Sequence, residues 1–500
     1  MLGLPCGVSL KKLSGETLVY GLSSILGRLL NFALVTPFIT RVLSEEEVGE
    51  TGNLMFWTAL LIALLVFRMD TAVFRFASRG DYTPAAVFKR TQRVVLILVG
   101  AVIGPLLLLS PRIAELLEAP AATTYVQLVL LTVAFDVLSA VPLARLRLQQ
   151  RAWFFVGVNL GNVAANILLL YGLLYVLPRT FPEYFVETFR VGYYLLAIAV
   201  AAGLRYLALA IDGMRRTAKD LLLDSAQPEV RAPSFRRLLR YSLPLTVVSV
   251  AGIANGLVGP STLLRYDAAA AGYFTAALRM AVFLNLFVTA YQYAAEPFFF
   301  RQSTQDLATA NRGIYADAMR AYGLVGAVAC AGILLALPWL QYFVGPDVRA
   351  GFVVLPILLA ANFVFGIYSN LSIAYKLTDQ TFLGGAIALA GSVFAVGGPL
   401  LFTAAYGIYA PAWGMLACFL VMTGLAYLVS RRYFPVDYPF GRITLYAALA
   451  AAAVWAGEFS ATMVYRALIL LLFLLTLFLL ERRWLLHTFR GAGPQVKANQ

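Results

Sequence analysis

The chain has 500 residues, 61% of them hydrophobic and only 13% charged, far from the roughly 45–50% apolar and 25% charged make-up of a water-soluble domain. That composition argues against a soluble enzyme: at about 20 apolar residues per crossing it supplies roughly fourteen membrane-spanning helices and little else. The net charge of +14 would suit a nucleic-acid binder only on a water-exposed basic face, and these charges sit in short loops between apolar runs, so no nucleic acid is expected as a partner.

In chain order, the apolar runs predict helices over 17–40, 53–74, 94–110, 124–143, 154–177, 188–211, 241–264, 272–297, 321–344, 351–375, 381–404, 408–430, 442–458 and 463–481. The opening MLGLPCGVSLKK has no long apolar stretch ahead of a small-residue cleavage site, so no removable signal peptide is expected. An even number of crossings places both termini on one side. Alternate segments starting from the N-terminus hold 29 of the 39 basic residues, against seven in the other set, which also carries the acidic run Glu45, Glu46, Glu47 and Glu50. Lys and Arg concentrate on the cytoplasmic side, so both termini are expected to be cytoplasmic.

The largest break, 212–240, reads as a cytoplasmic linker with RRTAKD at its start and FRRLLR near its end. It divides an N-terminal lobe of six helices (1–211) from a C-terminal lobe (241–430), with two further helices and a tail in 431–500. A weak internal repeat supports two related halves. VTP at 35–37 recurs as VGP at 258–260, and each proline is followed twelve residues later by a glycine, Gly49 or Gly272. Repeated halves around a midplane site are a common transporter plan.

Motifs of soluble chemistry are missing. GxxxxGK[ST], HExxH, GxSxG and CxxC do not occur, and the one histidine, His487, falls in the tail. Cys6, Cys330 and Cys418 are too scattered for a disulfide framework or a zinc site. No metal and no cofactor are expected. The loops are also too short to hold the extramembrane catalytic segment that a membrane polymerase or ligase of glycans would need.

Polar groups inside helices therefore carry the information, because an ionisable side chain at bilayer depth costs several kcal/mol unless it faces protein or water. Arg28 lies roughly 20 Å along the first helix from Gly15, at about 1.5 Å per residue, too deep to reach an interface easily. Thr17, Gly21, Ser24, Arg28 and Asn31 fall on one face of that helix. This face either lines a hydrated cavity or packs a structural Arg28 against carbonyls or against Asp136, midway along the fourth helix. A second stripe, Asn285, Thr289, Gln292 and Glu296, runs down the eighth helix, with Arg279 near its outer end and Pro297 near its inner end. It reads as cavity lining or as helix-to-helix bonding. Arg205, in the sixth helix, either faces the cavity or snorkels to the inner interface. Asp136 and Glu296 are the candidate coupling or proton sites. Asn255, Asn159, Asn162 and Asn166 read as helix-packing residues. Pro37, Pro244, Gly259-Pro260, Pro356 and Gly397-Gly398-Pro399 interrupt spans, as suits a protein that bends.

GETLVYGLSSILGRLLNFALVTPFITRVLSEEEVGETGNL at 15–54, then MDTAVFRFASR, LRLQQRAWFFVGVNL, YKLTDQTFLGGAIALAGSVF and AAYGIYAPAWG, together resemble the bacterial polysaccharide exporters of the multidrug/oligosaccharidyl-lipid/polysaccharide superfamily, the lipid-linked oligosaccharide flippases. Arg68 departs from that pattern where a glycine is expected, and so does Gly397-Gly398 where asparagine is common. The resemblance implies an all-α polytopic membrane protein with two six-helix lobes around a central cavity, two additional C-terminal helices, and alternating access. It implies that cavity arginines bind the diphosphate of an undecaprenyl-linked glycan, a role that falls to Arg28 by its position in the first helix. The expected mechanism is that Arg28, with Arg279 or Arg205, captures the diphosphate while Asn31, Asn285 and Gln292 bond sugar hydroxyls and the lipid tail stays in the bilayer. The expected protein is thus a monomeric flippase of the bacterial cytoplasmic membrane. Its partners would be the lipid-linked oligosaccharide, membrane lipids, and the glycosyltransferases or polymerase of the same pathway. The competing expectations are a drug or cation antiporter of the same superfamily, which would need acids in its cavity, and a membrane polymerase or ligase.

Overall fold

The computed structural model describes residues 26–77, 82–116, 122–223, 232–302, 312–378, 380–460 and 462–490. Among them, thirteen helices are long and apolar enough to cross a membrane, and each overlaps a span expected from the sequence. The chain is an all-α, multi-pass membrane protein. The first expected span lies partly outside the described residues; its second half is helical over 26–42 and is α1. In order there follow α2 (Glu45–Ala77), α3 (Pro84–Leu108), α4 (Ala122–Leu148), α5 (Ala152–Thr180), α6 (Arg190–Leu223) and α7 (Phe235–Leu257). The second half holds α8 (Ala268–Gln302), α9 (Gly313–Leu335), α10 (Leu355–Leu377), α11 (Thr381–Tyr406), α12 (Tyr409–Tyr433), α13 (Phe440–Gly457) and α14 (Met463–Arg490).

Two edges differ from the apolar runs for a physical reason. α2 begins at Glu45 because Ser44 and Glu47 form a capping box: Ser44 Oγ accepts from the Glu47 amide (3.3 Å), and the Ser44 amide donates to Glu47 Oε2 (2.8 Å). The acidic run thereby sits at the positive end of the helix dipole. The expected 212–240 linker shrinks, since α6 continues to Leu223 and α7 starts at Phe235 with Ser234 as its N-cap. Polar first and last turns are helical without being apolar.

Two irregularities shape α1 and α2. In α1, residues Asn31–Val35 form a π-turn just ahead of Pro37, absorbing the carbonyl that the proline ring would otherwise strike. In α2, Phe67 and Arg68 both have φ of 50°, a left-handed break that costs side-chain-bearing residues about 1–2 kcal/mol each. Arg68, the departure from an expected glycine, falls in this break.

Packing sorts the helices into two lobes. α4 packs against α2, α3, α5 and α6, while α12 packs against α10 and α11, with α7, α8 and α9 completing the second group. α13 and α14 lie outside both lobes against α9. Glu481 of α14 is fully buried there and accepts from Tyr446 (2.6 Å), Arg442 (3.3 Å) and Arg320 of α9.

The lobes meet mainly through α2 against α8. Near the end that the charge bias assigns to the outside, the two glycines of the internal repeat touch. A Cβ on Gly49 would stand 2.5 Å from the Ala268 carbonyl oxygen and 2.7 Å from the Gly272 nitrogen, and one on Gly272 would lie 2.8 Å from the Glu45 carbonyl carbon. Arg41 of α1 closes the same end by donating to the carbonyls of Tyr342 (2.5 Å) and Phe343 (3.2 Å), and the Gly345 amide donates to Thr40 Oγ1 (3.0 Å). At the opposite end Arg237 of α7 donates to the Tyr82 hydroxyl (2.7 Å), and Arg75 of α2 lies 4.6 Å over the Tyr241 ring. Both ends of the gap between the lobes are therefore bridged.

Candidate functional site: a three-arginine cavity between the lobes

Between these seals lies a cavity of two adjoining chambers. The first, about 700 Å³, is walled by α1, α5, α6 and α8 and lined by Arg28, Asn31, Asn159, Asn162, Arg205, Arg279 and Asn285 among others. The second, about 560 Å³, lies toward the second lobe among α2, α7, α8, α10 and α12. Arg28, Arg279, Val282 and Asn285 line both, so the arginines of α1 and α8 stand where the chambers join.

Helical periodicity explains the first wall. Arg28 and Asn31 are three residues apart on α1 and project to the same side, and the π-turn that begins at Asn31 carries the chain past Pro37 toward the outer seal. Arg279 and Asn285 of α8 face them. Among the described residues, neither Arg28 nor Arg279 has a hydrogen-bond or carboxylate partner, and no Asp or Glu lines either chamber. Guanidiniums within a membrane protein are costly unless they face protein or water, and a chamber of this volume has room to hydrate them.

Arg205 is the third cation and differs in having a counter-ion. Its Nη2 donates to Asp136 Oδ1 of α4 at 2.5 Å, while its Nε is buried without a partner. Asp136 thus pairs with Arg205 rather than with Arg28. It is not among the residues lining either chamber, and stands behind the arginine.

The eighth-helix stripe divides. Asn285 reaches both chambers and donates to Asn362 Oδ1 of α10 (3.3 Å). Thr289 bonds the Asn285 carbonyl of its own helix (2.8 Å). The structure does not bring Gln292 to the cavity: its Nε2 donates to Ser369 Oγ of α10 (2.9 Å), a helix-to-helix bond. Ser24 and the Glu296 side chain lie outside the described residues. Asn159 and Asn162, which read as packing residues, line the polar chamber. Asparagine on an apolar helix was the signal available for them, and it does not say which neighbour they face.

Among solved structures, the chain is similar to the lipid II flippase MurJ in an inward closed conformation, at 14% identity over 94% of this chain and 100% of that one, with a TM-score of 0.71. It is also similar to MATE in complex with MaD3S, at 14% identity over 89% and 97% of the two chains and a TM-score of 0.56. A multidrug resistance MATE family transporter of the MOP superfamily, inward-facing, gives 15% identity, 91% and 97% coverage and a TM-score of 0.50. No protein-family model matches the chain, and no curated protein matches it in sequence. At these identities the likeness is one of fold: two six-helix lobes around a central cavity, with two further helices at the C-terminal end.

Proposed function

We propose that this protein is a flippase that carries a diphosphate-linked lipid glycan from the cytoplasmic to the outer leaflet of a bacterial cytoplasmic membrane by alternating access, with both termini in the cytoplasm. The observation that carries this reading is the convergence of Arg28, Arg205 and Arg279, from three helices, on one chamber whose described lining residues include no carboxylate. A sugar diphosphate cannot cross about 30 Å of hydrocarbon unless a lined path replaces its water. Guanidinium forks match phosphate oxygens bidentately, and Asn31, Asn159, Asn162 and Asn285 offer amides to sugar hydroxyls. The fold shared with MurJ, a lipid II flippase, supports a lipid-linked substrate.

The antiporter reading, supported by the shared fold of the MATE structures, would need an acid exposed to a cationic ligand. The one deep acid near the arginine set among the described residues, Asp136, is held by Arg205. Asp136 is instead proposed as the site at which protons couple to transport. Asp136→Asn with unchanged pH dependence of transport would remove it from that role.

The decisive experiment is translocation of a defined undecaprenyl diphosphate glycan in proteoliposomes. Hydrogen bonds to charged groups are worth about 1.5–3 kcal/mol, so Arg28→Ala should weaken glycan binding about 10- to 150-fold, while Arg28→Lys keeps part of the activity. Normal translocation by an inserted, stable Arg28→Ala variant would overturn the anion-site reading, and proton-coupled efflux of a cationic dye would favour the antiporter.

A further inference from the structure

The second chamber is not explained by a sugar diphosphate. Met55, Phe56, Phe365, Met415, Phe419 and Met422 are among its lining residues; Arg28, Arg279 and Asn285 belong to the mouth it shares with the first chamber, and its other polar residues, Asn255, Thr275 and Asn362, each donate to a backbone carbonyl of the protein. Its volume of about 560 Å³ falls within the range of small-molecule pockets, about 300–1,000 Å³. On the α7 side Gly252 and Gly256 line it beside Ile253, Asn255 and Leu257, and a Cβ built on either glycine would meet nothing within 4 Å. Apolar surface joined to a chamber lined by arginines is unfavourable when wet, and a ligand with an anionic centre and an apolar arm covers it. Methionines suit a flexible, branched hydrocarbon because their unbranched side chains adapt to irregular shapes.

We propose that this chamber is a binding site for the first isoprene units of the prenyl carrier, those next to the diphosphate, so that the proximal tail enters the protein instead of lying wholly in the bilayer. The inference rests on the diphosphate reading above. Its geometric basis is that Arg28 and Arg279 line both chambers. A diphosphate held between them has the polar chamber on one side for the glycan and the apolar chamber on the other for the chain. The order of the two chambers then matches the order of groups along the ligand.

The test compares inorganic pyrophosphate with geranyl diphosphate on the purified full chain in nanodiscs. Geranyl diphosphate should bind at least about tenfold tighter, because the ten-carbon arm buries apolar surface. Gly252→Phe and Gly256→Phe each project a ring into open chamber space and should erase that gain while leaving pyrophosphate affinity unchanged. As a measurement on the unaltered protein, a geranyl diphosphate carrying a photoreactive group at its far end should label residues 252–257 or 415–422. Equal binding of the two probes, a gain that survives both phenylalanine variants, or labelling only elsewhere would overturn this inference and leave the diphosphate site standing. Failure of pyrophosphate itself to bind, or binding indifferent to Arg28→Ala, would overturn the functional reading and this inference with it.

Discussion

Gly49→Ala isolates the seal between the lobes from the rest of the fold. The added methyl would stand 2.5 Å from the Ala268 oxygen, 2.7 Å from the Gly272 nitrogen and 2.9 Å from the Ala271 Cβ. Two of these are backbone atoms of α8 that cannot rotate away. Reaching an ordinary contact of 3.4 Å requires α2 and α8 to part by about 0.9 Å at this point. Overpacking of this kind costs about 1–3 kcal/mol, and the cost falls only on states in which the outer end is closed. Alanine's helix propensity, about 1 kcal/mol better than glycine's, applies to open and closed states alike and cancels. The ratio of outward-open to closed molecules should therefore rise about 5- to 150-fold. The assay is labelling of Asn285→Cys by a membrane-impermeant thiol reagent added to whole cells, in a background lacking the three native cysteines. Faster labelling in the Gly49→Ala background, with the protein still folded, is the expected result. Unchanged labelling would show that the α2–α8 contact yields without opening the cavity, and the reasoning would fail.

The opposite seal should respond in the mirror sense. Tyr82→Phe removes the 2.7 Å bond from Arg237, worth about 0.5–1.5 kcal/mol, and should raise labelling of the same cysteine two- to tenfold in inside-out vesicles; no rise would exclude Arg237 and Tyr82 as a closing contact. For the ion pair in the first lobe, Asp136→Ala leaves a largely buried Arg205 with neither carboxylate nor Nε partner and should destabilise by about 3–5 kcal/mol. Asp136→Ala with Arg205→Leu should recover most of that loss in a thermal unfolding cycle, and additive losses would deny the coupling. Glu481→Gln leaves Arg320 and Arg442 without their shared acid. Because Arg442 is itself half-exposed, a loss toward the lower end of the same range is expected, read as early protease sensitivity of α13 and α14. A protein unchanged in unfolding and cleavage would mean that apolar packing alone holds this pair.

What was legible in the sequence follows from how local each feature is. Fourteen spans could be read because hydrocarbon thickness sets the length of an apolar run, and edges such as Glu45 and Leu223 could not, because capping and polar end turns carry no apolar signal. Arg28 stood out because a guanidinium at that depth demands water or a partner, and Asn31 shares its face by spacing alone. Spacing failed on α8, where Asn285 and Gln292 lie seven residues apart. Two turns of helix bring them back to nearly the same azimuth, yet the neighbour changes along the way from the cavity to α10, as the Ser369 bond to Gln292 shows. The Asp136–Arg205 pair joins positions 69 residues apart, so it depends on how α4 meets α6 and on nothing visible in either helix. Gly49 and Gly272 are the instructive intermediate case. Each is an ordinary glycine in its own helix, and the shared spacing from a proline was the signal that linked the two. A repeat too weak to prove homology thus pointed to a place where the lobes touch. The arginines and aromatics of the opposite seal have no such symmetry to announce them. Among so many basic residues, Arg75 and Arg237 become distinguishable only once Tyr241 and Tyr82 are found across the gap.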